Sequence, residues 1–250
     1  MILSYCYATD EGPRPRNEDA LLVPEGVHQG RVPPACRTLE SGYALFAVAD
    51  GMGGHPCGDR ASYLVLELLS RFRVTSPSEL RLFLTKAKEL LDAFAQEQPH
   101  CWALGTALAG CTLTGGRALC FNVGDCRVYL YRAGTLQLVT RDHTAVFELF
   151  EQGLIDYETL RVHPQRNLLT SSLTGGVPET PKAFLRVFRL LEGDELLVCS
   201  DGLWEVFALN ELKSVLESGS LREKAELLYR TARERSSDNF SFVLVEVSAL

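Results

Sequence analysis

The stretch YALFAVAD, residues 43–50, is a short apolar run that ends in Asp50. Such a run predicts a buried β-strand that ends in a tight turn. A second run, LLVCSD at residues 196–201, ends in the same way in Asp201, and a further apolar segment begins just after Asp238. Acidic residues at the ends of buried strands are therefore the feature on which both the fold and the candidate site depend.

Two helices are predicted after the first of these strands. One spans roughly residues 59–73, and the second begins at Ser76, with Pro77 as its first residue and Glu79 placed to close a capping box. Apolar residues then recur at helical spacing through Phe94. This pattern predicts a pair of helices that covers one face of a sheet.

The rest of the chain is predicted to form short strands and further helices. The predicted strands are Thr106–Thr114, Ala118–Val123, Arg127–Arg132, Thr135–Val139, Ala183–Leu190, Glu195–Cys199 and Phe240–Val247, and the predicted helices are Thr144–Gln152, Leu209–Glu217 and Leu221–Arg235. The first four strands are separated by turn residues and predict an antiparallel meander. The polar stretch at about 143–181 predicts a mobile flap, and Pro24–Pro34 predicts a surface loop. Because strands come in runs and helices in pairs, the pattern indicates an α+β class with antiparallel sheets, and not a doubly wound parallel sheet.

Composition restricts the function classes. The chain has 250 residues, 46% of them apolar, and a formal net charge of −7, so length alone permits one or two domains. The acidic balance argues against general binding to nucleic acid or to an anionic membrane. No apolar run approaches the roughly 20 residues of a membrane span, and the N-terminal segment does not read as a signal peptide. We therefore expect a cytoplasmic protein.

The eight cysteines contain no C-x-x-C pair, and several lie within apolar, strand-like runs. In a reducing cytosol, such residues are expected to be buried free thiols. Disulfides, a redox role and a zinc site are the less favoured alternatives.

Four acidic clusters lie at the edges of apolar runs. They are Asn17-Glu18-Asp19, Asp50-Gly51, Ser200-Asp201-Gly202 and Asp238-Asn239. Carboxylates brought together in this way repel one another and raise one another's pKa, and a divalent cation removes that conflict. Hard oxygen ligands without accompanying His or Cys favour Mg²⁺ or Mn²⁺ over zinc.

Two such cations, about 4 Å apart, can activate a bridging water and neutralise the charge of a phosphate. Arg14, three residues before Asn17, offers a guanidinium that can bind two phosphate oxygens. Taken singly, these motifs would indicate only a turn, a helix cap or a surface arginine. Their ordered occurrence at strand edges favours a site.

Seven segments, in this order, resemble the PP2C-type protein serine/threonine phosphatases, also called the PPM family. They are RPRNEDA (14–20), VADGMGGH (48–55), GTALAG (105–110), NVGDCRVYLY (122–131), RDHT (141–144), CSDGLWEV (199–206) and SDNFSFVLVEV (237–247). DGMGGH is the form usual in bacterial members. The resemblance covers about residues 5–247 and implies one phosphatase domain over 1–250, folded as an α-β-β-α sandwich of two antiparallel sheets flanked by helix pairs.

The resemblance also implies a binuclear Mn²⁺ or Mg²⁺ centre. Asp50 would bridge the two ions, the Gly51 carbonyl would bind one of them, and Asp201 and Asp238 would complete the shell of the other. Arg14 would hold the substrate phosphate.

Three further carboxylates have secondary roles by the same resemblance. Glu18 and Asp19 would act mainly through metal-bound waters. Asp125 matches the aspartate that helps to bind a third, weaker cation in bacterial relatives, although a simple turn aspartate is the alternative for this position.

One position departs from many animal members, which have a histidine directly after the Asp-Gly pair as a candidate proton donor. Here that residue is Met52. A serine alkoxide needs a proton to leave, and we expect a metal-bound water to supply it. His55 lies beyond two glycines, and His143 and His163 are expected to be structural.

The expected function is therefore hydrolysis of phosphoserine and phosphothreonine in proteins. The expected substrates are phosphorylated proteins, with a Ser/Thr kinase and its targets as partners, no nucleic acid, no membrane and a monomeric state. Two alternatives stay open: a pseudophosphatase that binds phosphoproteins without turnover, and a metal-dependent phosphodiesterase or nuclease, which the lack of a basic stripe disfavours.

Overall fold

The structure is a computed structural model that describes residues 1–52 and 57–250. The strands in this part of the chain are β1 (Ile2–Asp10), β2 (Asp19–Val23), β3 (Gly26–Gln29), β4 (Val32–Glu40), β5 (Tyr43–Gly51), β6 (Gly105–Thr114), β7 (Arg117–Val123), β8 (Arg127–Arg132), β9 (Thr135–Leu138), β10 (Leu173–Thr174), β11 (Phe184–Arg189), β12 (Glu195–Cys199) and β13 (Phe240–Ala249). The α-helices are α1 (Gly58–Leu69), α2 (Pro77–Glu97), α3 (Ala145–Glu151), α4 (Tyr157–Val162), α5 (Asp201–Trp204), α6 (Leu209–Glu217) and α7 (Leu221–Arg235).

The strands form two antiparallel sheets. One has the order β4-β1-β13-β12-β8-β9, and the other has the order β11-β7-β6-β5-β2-β3, with the short β10 paired to β6. Three apolar cores separate the layers: one lies between the sheets, one lies under α1 and α2, and one lies under α5, α6 and α7. The predicted α-β-β-α sandwich of the α+β class is confirmed.

The central strand β5 shows why its sequence is apolar without alternation. Phe46 packs in the core between the sheets, whereas its neighbour Ala47 packs under the helices. Because each sheet is covered on both faces, successive side chains of a central strand are all buried. The same reasoning applies to β12, of which all five residues are buried.

The predicted start of α2 is confirmed. Ser76 precedes the helix in extended conformation, and its side chain accepts a hydrogen bond from the backbone N–H of Glu79. Pro77 is the first helical residue, where its missing N–H costs nothing.

Two predictions about the strands are wrong. The segment 24–34 is not only a loop, because it contains β3 and the start of β4. The predicted meander is also divided between the sheets: β6 and β7 belong to one sheet and β8 and β9 to the other. The chain crosses over at Gly124, which has a positive φ of 92° and would clash with the Ala107 side chain if it carried a Cβ. This crossover places Asp125 between the two sheets at one edge of the sandwich.

The prediction of eight free thiols is wrong for half of the cysteines. Disulfides join Cys6 to Cys36 and Cys57 to Cys101. The remaining four cysteines are buried and free, as predicted: Cys111, Cys120, Cys126 and Cys199. Cys6 and Cys36 lie directly opposite each other in the β1–β4 pairing, a register that the spacing of the cysteines does not show.

Two short helices, α3 and α4, lie within the predicted flap and share a small apolar cluster of their own. Arg166 anchors the flap through two hydrogen bonds to the carboxylate of Glu205, at 2.5 and 2.8 Å. Glu205 follows directly after α5. The flap is thus attached beside the helix that begins with Asp201. Among residues 1–52 and 57–250, no helix has both the length and the apolar character needed to cross a membrane.

Candidate metal centre

The first part of the site comes from two neighbouring strands. Asp50 on β5 lies opposite Asp19 on β2, and Gly51 follows it at the strand end. The backbone N–H of Gly51 donates to the Glu18 carbonyl at 3.1 Å. A Cβ on Gly51 would lie only 2.3 Å from the Gly58 carbonyl oxygen, so the close approach of α1 to this turn requires glycine.

The second part comes from the other sheet. Asp201 is the first residue of α5 and is separated from the end of β12 by Ser200, and Asp238 lies just before the neighbouring β13. The hydroxyl of Ser200 donates to the Asp19 carboxylate at 2.7 Å. This hydrogen bond joins the two sheets directly beneath the carboxylates.

Most of the predicted residues meet in one cleft. Its volume is about 1130 Å³, and the predicted site residues that line it are Arg14, Asp50, Gly51, Asp125, Asp201 and Asp238. Flap residues 167–172 line the same cleft. Glu18 and Asp19 do not line the cleft. Asp19 is only 1% exposed and lies beneath the cleft surface. The structure therefore separates the predicted residues into a cleft group and a supporting pair.

Burial and mutual repulsion set the electrostatics of this cluster. The pKa of Asp50 is raised well above its ordinary value, first by burial and then by Asp201, Asp19 and Asp125. The pKa of Asp201 is raised by burial and then by Asp125. Burial is also the main reason that the pKa values of Asp19 and Asp125 rise to about 7. These carboxylates are therefore ionised together only at a large electrostatic cost.

The donor set fits divalent cations. It consists of hard carboxylate and carbonyl oxygens, which Mg²⁺ and Mn²⁺ prefer. Asp19 Oδ1 is buried and has no hydrogen-bond partner among the described residues, and buried oxygens of this kind normally have one. A cation held by these residues would satisfy the oxygen-rich cluster and remove its repulsion.

Arg14 is held at the mouth of the cleft. Its Nη2 donates to Asp238 Oδ2 at 2.8 Å, and its Nε donates to the Ser237 carbonyl at 3.1 Å. Half of the Arg14 side chain is exposed. The guanidinium is thus positioned by its neighbours and still accessible to a ligand.

Asn239 was not assigned a role from sequence, although it follows Asp238 directly. Its side-chain nitrogen donates to the carbonyls of Glu11 and Arg16, both at 2.8 Å, and its side-chain oxygen accepts from the backbone N–H of Glu18. It therefore fixes the loop that carries Arg14 to β13. The sequence feature that could have indicated this role is its position directly after Asp238 in the SDN motif.

Arg127 is a second residue that sequence reasoning missed. It is fully buried and forms three hydrogen bonds to the carboxylate of Asp142, at 2.6 to 3.1 Å. Its guanidinium carbon lies 3.4 Å from the ring centroid of Trp204, and the Trp204 indole donates to the Asp125 carbonyl at 3.0 Å. This network connects Asp142, at the start of the flap region, to the cleft residue Asp125. Arg127 lies in the segment NVGDCR and Asp142 in RDHT, but the spacing of these two segments does not show that the side chains are hydrogen-bonded.

None of the histidines in the described part of the chain is placed to act as the proton donor. His143 is buried, and its Nδ1 accepts a hydrogen bond from the backbone N–H of Gly124, so it supports the turn before Asp125. Burial lowers its pKa. No histidine of residues 1–52 and 57–250 lines the cleft, and His55, with the rest of the GGH segment, lies outside the described residues. Met52 does line the cleft.

Comparisons with known proteins agree on the kind of protein. A family model described as protein phosphatase 2C matches residues 35–240. The chain is 31% identical over 254 residues to the serine/threonine protein phosphatase PstP of Mycobacterium tuberculosis. The matched region covers 99% of this chain and 45% of PstP. It is 33% identical over 213 residues to the serine/threonine phosphatase stp of Listeria welshimeri. This match covers 81% of this chain and 84% of the Listeria protein. The chain thus spans less than half the length of the mycobacterial relative.

Solved structures show the same similarity. The crystal structure of the M. tuberculosis phosphatase PstP/Ppp superposes with a TM-score of 0.81 at 29% identity over all of both chains. A structure of the PstP catalytic domain in complex with two manganese ions gives a TM-score of 0.79 at 27% identity, again over all of both chains. The fold is therefore shared along the whole length of this chain.

Proposed function

The chain belongs to the protein phosphatase 2C family of metal-dependent phosphoprotein phosphatases, and from this membership we propose that it hydrolyses phosphoserine and phosphothreonine in proteins. One observation carries the proposal: carboxylates from two different sheets meet in a single cleft together with a positioned arginine. The arrangement combines ligands for hard cations with a donor for phosphate oxygens.

The metal ligands follow from this arrangement. We propose that Asp50, the Gly51 carbonyl, Asp201 and Asp238 would hold the divalent cations, because all four residues line the cleft. The PstP catalytic domain with two manganese ions supports a pair of Mn²⁺ or Mg²⁺ ions. When bound, such ions would lower the pKa of a water molecule and neutralise charge on the phosphoryl group.

Three carboxylates have supporting roles in the proposal. Glu18 and Asp19 act through water molecules, consistent with their position outside the cleft lining. Asp125 lines the cleft from the crossover between the sheets and would hold a third, weaker cation.

Arg14 binds and orients the substrate phosphate. Its bonds to Asp238 and to the Ser237 carbonyl fix the guanidinium before the substrate arrives, so that little side-chain freedom is lost on binding. Its positive charge then stabilises the transition-state charge on the phosphoryl oxygens.

Cysteine does not serve as the nucleophile in this proposal. Cys126 is the cysteine beside Asp125, and it is completely buried. Burial and the surrounding carboxylates raise its pKa well above the ordinary value, whereas a nucleophilic cysteine needs a lowered pKa. Direct attack by water, without a phosphoenzyme, is the consistent alternative.

The remaining proposals concern the setting of the reaction. We propose one phosphatase domain over residues 1–250, supported by the sheet in which the N-terminal β1 pairs with the C-terminal β13. We also propose a monomer that acts in the cytoplasm on proteins phosphorylated by a Ser/Thr kinase. A pseudophosphatase would leave the cleft carboxylates without a role.

The test is hydrolysis of a phosphothreonine peptide by the purified protein. We expect activity with Mn²⁺, none after EDTA, and recovery when Mn²⁺ is returned. Asp201→Asn should lose at least about tenfold in rate, since it removes a proposed ligand. Glu89→Gln is the matched control, because Glu89 is exposed on α2, where it forms an ion pair with Lys86, and it does not line the cleft. Activity that resists EDTA, or an Asp201→Asn variant as active as Glu89→Gln, would contradict the proposal.

A further inference from the structure

The disulfide between Cys57 and Cys101 lies next to the candidate metal centre. Cys57 directly precedes α1, and Cys101 ends a short 3₁₀ turn, Pro99–Cys101, that leads toward β6. The two Cα atoms are 5.5 Å apart. A covalent bond therefore connects the beginning of α1 with the segment before β6.

This bond and one hydrogen bond attach both ends of the connection after Gly51 to the same segment. At one end, the backbone N–H of Met52 donates to the Gly105 carbonyl at 3.0 Å. At the other end, Cys57 is bonded to Cys101, only four residues before Gly105. Met52 and Cys57 are thus each attached to the segment that leads into β6.

The disulfide also bears on Gly51 through α1. Gly58 follows Cys57, and its carbonyl oxygen would lie 2.3 Å from a Cβ on Gly51. The two backbones are therefore in close contact. A shift of the first turn of α1 toward Gly51 would therefore displace this glycine, whose carbonyl is a proposed metal ligand.

A histidine lies beside the two sulfur atoms. The side-chain ligand atoms of Cys57, His100 and Cys101 all lie within 4.8 Å of one another. His100 is exposed, and Cys57 is half-buried. A histidine beside a reduced thiol favours the reactive thiolate. The four free cysteines differ, because each is completely enclosed and therefore shielded from reagents.

We propose that Cys57 and Cys101 form a redox-active pair, a site of reversible oxidation by low-molecular-weight disulfides such as oxidised glutathione, whose state sets the Mn²⁺ affinity of the adjacent centre. The oxidised form holds α1 against Gly51 and binds the metal more tightly. The reduced form releases one attachment and binds it more weakly.

The chemistry is thiol–disulfide exchange. One protein thiolate attacks a sulfur of the small disulfide, forming a mixed disulfide and releasing one small thiolate. The second protein thiolate then attacks the protein sulfur, forming the Cys57–Cys101 bond and releasing the second small thiolate. Two protein thiols are oxidised, one small disulfide is reduced by two electrons, and the two protons end on the released thiols.

The experiment compares protein equilibrated in oxidised glutathione with protein reduced by a phosphine. Alkylation and mass spectrometry report the state of each cysteine, and calorimetry at fixed pH reports the Kd for Mn²⁺. We expect reduction to weaken Mn²⁺ binding about 5- to 10-fold, and Cys57→Ser to show the weaker affinity under both conditions.

Cys6→Ser is the matched control. It removes the other disulfide, which closes a loop of similar size: the sequence separations are 30 and 44 residues, so the two bonds constrain the unfolded chain similarly. Since Cys6 lies on β1 and not in α1 or its flanking turns, we expect Cys6→Ser to keep a redox-sensitive Kd.

Three results would overturn the proposal: a Cys57–Cys101 pair that glutathione does not reoxidise, a change in Mn²⁺ Kd of less than twofold on reduction, or an equal effect from Cys6→Ser. Tight Zn²⁺ binding by the reduced protein that His100→Ala abolishes would also overturn it, because the three residues would then be a soft-metal site. The proposal rests on the metal centre proposed above. If Mn²⁺ affinity responds to redox state but the peptide is not hydrolysed, only the proposed catalytic function fails.

Discussion

Replacing Asp19 with asparagine should stabilise the metal-free protein while weakening its response to metal. Asp19 is completely buried in the structure, and its pKa is raised from 3.8 to about 7, mainly by burial. The difference is about 3 pKa units, each equal to about 1.4 kcal/mol, so keeping Asp19 ionised in the fold costs up to about 4 kcal/mol at pH 8. Asparagine avoids this cost, and its carbonyl oxygen can still accept the hydrogen bond from Ser200.

The sign with pH follows from the direction of the pKa change. Because the folded-state pKa of Asp19 lies above its unfolded value, its contribution favours the fold below about pH 4 and is lost as the pH rises through about 7. The gain from Asp19→Asn should therefore be about 2 to 4 kcal/mol at pH 8 and less than half of that at pH 5. For a chain of this size the gain at pH 8 corresponds to roughly 5 to 15 °C in Tm.

The assay is thermal unfolding in EDTA and in excess Mn²⁺ at both pH values. Wild type at 100 times its Kd for Mn²⁺ should gain about 2.7 kcal/mol, and Asp19→Asn should gain at least 1 kcal/mol less, about a fivefold weaker Kd. Asp194→Asn is the control, because Asp194 is equally buried but accepts two hydrogen bonds from Arg132, at 2.6 and 2.7 Å. Its loss should destabilise the protein by about 1 to 3 kcal/mol. The reasoning is refuted if Asp19→Asn is no more stable than wild type at pH 8 in EDTA, or if its gain is the same at both pH values.

Two further substitutions separate binding from folding. Arg14→Ala should lower kcat/KM for a phosphothreonine peptide about 10- to 100-fold, as expected for loss of a charge-assisted contact. Its urea midpoint should barely change, because the Arg14–Asp238 pair is 50% and 36% exposed and contributes little to stability; a large loss of stability would contradict the assigned role. Arg127→Met should lower the free energy of unfolding by about 3 to 5 kcal/mol in urea, since it leaves the Asp142 carboxylate buried without its cation. A variant as stable as wild type would show that the buried Asp142 carboxylate does not depend on Arg127.

Local signals in the sequence predicted the elements that do not depend on distant contacts. Ser76 and Pro77 define the start of α2 through chemistry confined to one turn. The strand β4 was missed because Pro33 and Pro34 read as loop residues. At the edge of a sheet, one side of the strand has no neighbour, and proline is tolerated there. The edge position is a property of the folded sheet and is not visible in the local pattern.

The candidate site follows the same division. Asp50 and Asp201 could be selected because each ends an apolar run, and strand ends meet at a sheet edge. The separation of Asp19 from the cleft group depends on the packing of the two sheets, where Ser200 donates to its carboxylate. The contacts of Arg127 depend on the crossover at residues 124–126. That crossover was predicted as an ordinary turn of a meander, because a glycine-containing turn looks alike whether the next strand joins the same sheet or the opposite one.

The contacts beneath the cleft explain why metal binding and folding should be linked in this protein. The two sheets are joined there by polar contacts: the hydroxyl of Ser200 donates to Asp19, and the side-chain oxygen of Asn239, just before β13, accepts from the backbone N–H of Glu18, just before β2. The carboxylates above these contacts repel one another, so without cations the same edge contains both the bonds that close the sandwich and the charges that oppose closure. A cation that satisfies Asp50 and Asp201 removes the opposing term and leaves the hydrogen bonds. Metal should therefore increase the protection from amide exchange at the ends of β2, β5 and β13 more than at β9, which lies at the far edge of its sheet.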